Sequence, residues 1–394
     1  MENKQTVLIV HNYYQQAGGE DTAVRNEKQL LEQHGHKVIL YTRHNNELRS
    51  MNGIKKLLLP FSLLFNLRTY CDIKRIIKRE KIDIVHVHNT LSLISPAVYY
   101  AGVRMNKPVV QTIHNFRLLC PAATFYRDGN ICEDCVTKGL HCAVQHNCYR
   151  ESKFQTLACV LTTMVHRWTG IYGKLSYICL TEFNKEKLLQ LRKLQPGQIY
   201  VKPNFTWEKG TERIITNRKN QYVFAARLDE LKGIKELLKA WKQQGDAASE
   251  LLVCGTGPLE EWCKTYVEDN HLNHVQLMGK LTVEEVKKLL AESRAMILPT
   301  KWYEGFPMTI VESYAVGTPV IGPDMGNVGR IIENGRTGLR YDPTKGKNLA
   351  ETIRQAEHEK FDYRQIREYY EEKYSAENNY EELMEIYKKA ANRL

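Results

Sequence analysis

Short apolar runs rich in β-branched residues alternate with amphipathic stretches along most of the chain, and this alternation limits the fold more than any other feature. In the first half TVLIV (6–10), KVILY (37–41), DIVHVH (83–88) and VVQTIH (109–114) read as buried strands, with helical patterns such as EDTAVRNEKQLLEQHG and SPAVYYAGVRM between them. In the second half QYVFAAR (221–227), ELLVCG (250–255), HVQLMG (274–279), AMILPT (295–300) and PVIGP (319–323) alternate with helical patterns over 233–243, 258–269, 282–292 and 307–316. Strands that are apolar on both faces and joined by helical crossovers form parallel sheets covered on each side. Two such series in 394 residues predict an α/β chain of two doubly wound, Rossmann-like domains facing a cleft. Turn chemistry replaces periodicity near Lys202-Pro-Asn-Phe-Thr206, so the domains are expected over 1–202 and 203–372. The charged helical pattern over 373–394 is expected to pack back on the first domain.

No run reaches the ~20 apolar residues of a membrane span. FQTLACVLTTMV (154–165) is too short to cross a bilayer and reads as core. The opening MENKQTVLIVHNYY has no signal-peptide shape, which leads us to expect a cytoplasmic protein. Its ten cysteines are then expected as reduced thiols, metal ligands or core residues rather than disulfides. The formal net charge of +11 suits an acidic partner, whether nucleotide phosphates, nucleic acid or an anionic membrane face.

The stretch Glu304-Gly-Phe-Pro-Met-Thr-Ile-Val-Glu312 sets a glycine, a proline and an apolar run between two carboxylates. If both were helical they would stand about 12 Å apart along the axis. That is beyond the ~5–9.5 Å at which paired carboxyls act on one bond. They are better placed to grip two hydroxyl-bearing parts of one long ligand. Pro307 suits the first turn of a helix, and the free N–H groups of Phe306, Met308 and Thr309 would face the preceding loop, where a helix end attracts phosphate. A nucleotide-sugar satisfies this pattern, with Glu304 on the sugar, backbone amides on the phosphates and Glu312 on the ribose. A surface helix with ordinary flanking charges is the alternative.

RLDELKG follows the strand QYVFAA, which sets Arg227 and Lys232 at the carboxyl end of a strand, where open α/β sheets bind ligands. Two cations there suit a diphosphate; a solvated turn is the alternative. Cys254-Gly-Thr-Gly-Pro258 follows another strand, and Gly255 and Gly257 either let a base or phosphate approach the backbone or make a plain tight turn. Arg-x4-Lys, then GTG, then Glu-x7-Glu, each after a buried strand, form an ordered set. With HNYYQQAGGED, VHVHN and QTIHNFRLLCP, this set resembles the retaining GT-B glycosyltransferases of family 4 over nearly the whole chain.

The resemblance implies a nucleotide-sugar, most simply a UDP-sugar, on the second domain and the acceptor mainly on the first. Arg227 and Lys232 would neutralise the diphosphate, and Glu312 would accept from the ribose hydroxyls. Glu304 would meet the transferred sugar beside the backbone of Gly305, Phe306, Pro307, Met308 and Thr309. Gly18 and Gly19 would let amides near the phosphate and acceptor, and His114 in TIHN matches the active-site histidine beside the donor sugar. A strand-end histidine satisfied by a backbone partner is the alternative for His114; His11, His86 and His88 are expected to serve packing and hydrogen bonding. No D-x-D occurs in the chain, so Arg, Lys and a helix end would take the place of a catalytic metal. A front-face, retaining reaction is inherited from the resemblance. One departure is Arg330, which stands where the family often has Glu after the PVI strand.

A cysteine-rich insertion at about 116–152 interrupts the alternation. Cys132-x2-Cys135 has zinc-knuckle spacing, and two further thiolates would complete a tetrahedral site. By resemblance to the subset of family 4 that carries such an insertion, the set is Cys120, Cys132, Cys135 and Cys148, with Cys142 spare and His141 and His146 as substitutes. Free thiols in a loop, or disulfides, are the alternatives. Such zinc would be structural.

Ile54–Phe65 mixes lysines with bulky apolar residues, and the basic run Lys74–Arg79 follows. Together they could rest on an anionic bilayer, as a polyprenyl-linked or other glycan acceptor in surface polysaccharide synthesis would require. The alternative is a helix pair packed on its own sheet. Two other functional classes compete with transfer: a GT-B nucleotide-sugar epimerase or hydrolase, and a zinc-stabilised nucleic-acid-binding module. The second lacks basic motifs interleaved with aromatics and leaves Glu-x7-Glu unexplained, so nucleic acid is not expected as a partner.

Overall fold

The computed structural model describes residues 4–15, 18–207, 214–245, 249–344 and 348–393, apart from the side chains of residues 54–57. The chain divides into two units, one of residues 1–128, 132–204 and 376–394, the other of residues 129–131 and 205–375. The passages at 204/205 and 375/376 lie close to the expected 202/203 and 372/373. The second is displaced because Tyr374 packs its ring among Phe306, Tyr314 and Tyr369 of the second unit.

In the first unit six parallel strands form one sheet: β1 (Thr6–Tyr13), β2 (Lys37–His44), β3 (Ile84–Asn89), β4 (Val109–Ile113), β5 (Ser176–Cys179) and β6 (Ile199–Val201). Their order is β2-β1-β3-β4-β5-β6. β1 pairs with β2 from Thr6↔Lys37 to Tyr13↔His44 and with β3 on its other side. Val7, Leu8, Ile9 and Val10 are all inaccessible, because a central parallel strand is covered on both faces. The Ala376–Ala391 helix closes one face: Leu383, Ile386 and Tyr387 join Val7, Ile9, Val24, Ile84 and Val110 in one core.

The sheet of the second unit comprises β7 (Lys219–Ala225), β8 (Glu250–Cys254), β9 (Val275–Gly279), β10 (Ser293–Ile297), β11 (Val320–Pro323) and β12 (Gly338–Tyr341), in the order β9-β8-β7-β10-β11-β12. All pairings are parallel. The strand order reverses between β7 and β10, the position where doubly wound sheets open a crevice. Tyr222, Trp241, Leu251 and Ile297 lie in its core.

The segment expected as core at 154–165 is core on one face only, where Cys159 and Val160 are buried. It belongs to the Lys153–Trp168 helix, which turns Phe154, Leu157, Leu161, Met164 and Trp168 outward, with Phe154 67% and Trp168 82% exposed. At about 100° per residue these positions fall on one narrow stripe. The inward face adds polar residues to Cys159 and Val160. Thr156, Thr162 and Thr163 return their hydroxyls to the carbonyls of Ser152, Ala158 and Cys159 at 2.7, 2.8 and 3.0 Å, which lets polar residues face the protein without loss.

Candidate active site

Three of the motif loops leave the carboxyl ends of β7, β8 and β10. After β7, Asp229 Oδ1 accepts from the amides of Leu231 and Lys232 at 3.0 and 3.1 Å and folds the loop into a single turn. That turn aims the Lys232 ammonium at Glu304, Nζ to Oε1 2.7 Å. The same oxygen accepts from Thr300 Oγ1 at 2.9 Å and from Trp302 Nε1 at 3.0 Å, both in the loop after β10. Glu304 is only 5% exposed, and these donors satisfy its inward oxygen. Asn327 clamps the backbone beneath it, its Nδ2 donating to the carbonyls of Glu304 and Gly305 at 2.5 and 2.6 Å. Arg227 stands at the mouth of the loop, 53% exposed on its side chain, with Nε 3.1 Å from Asp229 Oδ2.

The helix after Glu304 runs Met308–Ala315, and Pro307 is its N-cap residue, not a first-turn residue. Its φ of −75° suits either position, but its ψ of 104° is extended and delays the helix by one residue. Phe306 and Met308 are buried, Thr309 begins the outer turn, and Glu312 is half-buried. Glu304 is therefore not helical, and the expected spacing along one helix axis does not apply to the pair. Arg330, in the Gly326–Ile331 helix, is exposed. The sequence pointed to Arg330 in that stretch and passed over Asn327.

Gly255 and Gly257 are demanded by the protein itself. A Cβ on Gly255 (φ +143°) would lie 2.0 Å from the Ala226 carbonyl oxygen, and one on Gly257 would lie 2.4 Å from that of Leu228. The two loops run side by side, held by Leu228 N–H to Thr256 O at 3.1 Å. Gly18 differs: a Cβ there meets nothing within 4 Å. Gly18 caps the Gly19–Gln33 helix, its amide donating to Asp21 Oδ2 at 3.1 Å.

In the first unit, His114 follows β4 and bonds not to a backbone group but to another imidazole, Nε2 to His88 Nδ1 at 2.9 Å. The rings of His86, His88 and His114 stack in series, with centroids 4.5 and 5.2 Å apart. Burial first, then the neighbouring His88 and His11, hold His114 well below the usual histidine range. Burial and His86 bring His88 down to about 4. Both rings are neutral at pH 7. Glu27 closes the row, 2.7 Å from His86 Nδ1 and 3.4 Å from Lys202 Nζ. Burial alone would raise its carboxyl, but His86, Lys202 and His88 hold it well below the carboxylate range. His11 Nε2 lies 2.8 Å from Asp21 Oδ1. Beside them Glu20 is pushed up to about 8, by burial first and by Asp21 next. The sequence assigned His11, His86 and His88 to packing and missed Glu27, although a charge among Ala23, Val24, Leu30 and Leu31 on the inward face of a helix was a readable signal.

Among the described residues, two groups gather three potential ligand atoms within 4.8 Å of one another, Glu27–His86–His88 and His11–Glu20–Asp21. Lys202 already supplies Glu27 with a counter-charge, which argues against a second cation there. The expected set of Cys120, Cys132, Cys135 and Cys148 is not drawn together to that distance. The thiols do share one neighbourhood: burial pushes Cys135 up to about 12, and Cys120, Cys148, Cys132 and Cys142 add to it. All ten cysteines are free. Cys142, taken as the spare, packs with Cys135, Leu140 and Val160, and its sulfur is 3.7 Å from His141 Nε2. His146 is exposed.

Two family models match in succession, Glycosyltransferase Family 4 over residues 17–206 and Glycosyl transferases group 1 over residues 206–373. An uncharacterized glycosyltransferase of Methanocaldococcus jannaschii is 27% identical over 45% of this chain and 48% of its own. The amylovoran biosynthesis glycosyltransferase AmsK of Erwinia amylovora is 34% identical over 29% of this chain and 30% of its own. The chain thus spans half or less of the length of these curated relatives. The Anabaena protein HepE, solved in complex with UDP, superposes with a TM-score of 0.65 at 14% identity, covering 96% of this chain and 98% of that one. At that identity the likeness is one of fold, GT-B.

Proposed function

Because the chain belongs to the glycosyltransferase families whose two models span it from residue 17 to residue 373, we propose that it moves a sugar from a nucleotide-sugar, a UDP-sugar, to a glycan or lipid-linked acceptor in polysaccharide synthesis. The observation that carries this reading is the convergence of Lys232 on Glu304 at the carboxyl ends of β7 and β10, immediately before a helix amino terminus. The UDP bound by HepE and the role of AmsK in amylovoran biosynthesis support the choice of donor and pathway class.

In this reading the Lys232 ammonium and the Arg227 guanidinium face the diphosphate, and the first amides of the Met308–Ala315 helix add their N–H groups. All three protein donors to Glu304 meet Oε1, so Oε2 is the oxygen that accepts from a sugar hydroxyl. Glu312 takes the ribose. Cleavage of the bond from the anomeric carbon to the phosphate oxygen leaves negative charge on the nucleotide and positive charge on the sugar ring. The acceptor oxygen bonds to the same face of the anomeric carbon, and its proton passes to the departing phosphate. In the first unit, the neutral His114 carries no charge that would repel a cationic sugar ring. With cations and helix amides on the diphosphate, no catalytic metal is required. Gly18 is left for the approach of the phosphate and acceptor, since no described residue lies where its side chain would stand. Zinc, held by Cys120, Cys132, Cys135 and Cys148, would brace the insertion and take no part in the reaction.

A thermal-shift panel of nucleotides and nucleotide-sugars tests the assignment. UDP and one UDP-sugar are expected to raise Tm, and the sugar is expected to be consumed only when acceptor is present. A panel without any shift, or nucleotide release at equal rates with and without acceptor, would overturn it.

A further inference from the structure

Nine of the thirteen large apolar side chains exposed among the described residues lie on two neighbouring segments, 58–67 and 154–168. They form one face. The Gly53–Leu64 helix lies against the Lys153–Trp168 helix: Leu63 and Cys159 share a small core, and His166 Nε2 meets the Leu64 carbonyl at 2.9 Å. The inner sides are thus occupied. Outward, Leu58 and Phe61 (70% exposed) continue the stripe of Phe154, Leu161 and Trp168, and Leu67 extends it at the start of the next helix. Soluble monomers rarely leave so much contiguous apolar surface in water.

The charges within the two segments are all basic, with Asp72, 3.6 Å from Arg68, and Glu151 just outside them. Residues 53–71 and 152–170 contain no Asp or Glu. Arg68, next to Leu67, is 81% exposed on its side chain, and Lys153, next to Phe154, is exposed. A second copy of the chain would bring the same cations against each other. An anionic bilayer takes both components, apolar side chains at the acyl boundary and cations at the phosphates, with Trp168 at the polar interface. No described helix is long and apolar enough to cross a membrane, so the pair would lie in its plane.

We propose that the Lys153–Trp168 helix, flanked by Leu58, Phe61 and Leu67, docks the protein on an anionic lipid surface. The side chains of residues 54–57, part of the sequence expectation for this role, lie outside the described residues. The docking face is centred instead on the helix whose sequence read as core. The proposal does not depend on the sugar-transfer reading, and its test uses no donor.

Co-sedimentation of the full chain with phosphatidylcholine vesicles, with and without phosphatidylglycerol, supplies the measurement. Binding is expected only to the anionic vesicles and should weaken with salt. Leu161→Ser with Trp168→Ser should weaken it at least tenfold with an unchanged melting temperature, since both side chains are exposed. Arg68→Glu with Lys153→Glu should do the same through charge alone. Equal binding by wild type and both variants, or no vesicle binding by wild type, overturns the proposal. So does a lipid-free dimer that dissociates in the serine variant, which would assign the face to a second copy. A UDP-induced thermal shift kept in all variants separates failure here from failure of the donor assignment.

Discussion

Lys232, half-buried, pairs with the buried Glu304, 2.7 Å between Nζ and Oε1, across two loops that are distant in sequence and adjacent only because β7 and β10 are neighbours in the sheet. The lysine proposed for the diphosphate and the carboxylate proposed for the sugar hold each other in place. Donor binding adds negative charge beside Lys232 without first having to order it. Such preorganisation is what electrostatic stabilisation of a leaving group needs.

Removing either partner should therefore do two things. Lys232→Ala and Glu304→Ala are each expected to lower turnover roughly 10²–10³-fold, the scale of one lost transition-state contact. Lys232→Ala should also lower stability, because it takes one of three donors from a buried carboxylate. The double variant should lose less stability than the sum of the two. Steady-state kinetics and denaturant melts check both; near-normal turnover in both single variants would refute the site.

Glu312 sits on the helix that follows, away from the reacting bond in the proposed pose. Glu312→Ala is expected to weaken binding of the nucleotide alone while kcat at saturation changes little. Isothermal calorimetry with UDP reads this directly, and an unchanged Kd would remove Glu312 from the ribose.

Glu20 gives a pH prediction with a definite sign. Its folded-state value of about 8 lies above the 4.5 of an unperturbed glutamate, so the native state favours the protonated form. Stability linked to this proton is fully present below pH 4.5 and is lost as the pH rises through about 8. Glu20→Gln should therefore melt higher than wild type at pH 9, and the gap should shrink towards pH 5. A gap that stays constant over this range would show that Glu20 titrates normally.

The proposed structural zinc predicts about one zinc per chain in protein purified without chelator. Cys132→Ser should lose the metal and lower Tm, whereas Cys142→Ser should retain it. Elemental analysis decides; metal-free wild type from a zinc-replete preparation would reject the site.

The strands legible in the sequence were those written as long apolar runs, β1 to β4 and β7 to β11. SYIC, IYV and GLRY, which form β5, β6 and β12, were not read as strands; β11 is no longer than β5 or β12 but stands in the run PVIGP after a helical pattern. Glu304, Lys232 and Arg227 were legible because each follows a strand end. Thr300, Trp302 and Asn327 were not, since their roles arise only when loops meet in space. Gly255 and Gly257 were read for a ligand, and they also answer to the loop beside them. The Lys153–Trp168 helix was misread from composition alone: its apolar residues are plentiful, but their spacing turns them to solvent.

The Ala376–Ala391 helix bears on how the protein emerges during synthesis. Tyr387 bonds the buried His86 from 301 positions away, and Asn379 bonds Lys202. A ribosome that has released every strand of the first sheet has therefore still not released the lid of its core. Nascent chains stalled before residue 376 would leave the apolar face over Val7, Ile9, Ile84 and Val110 uncovered, the kind of surface chaperones bind.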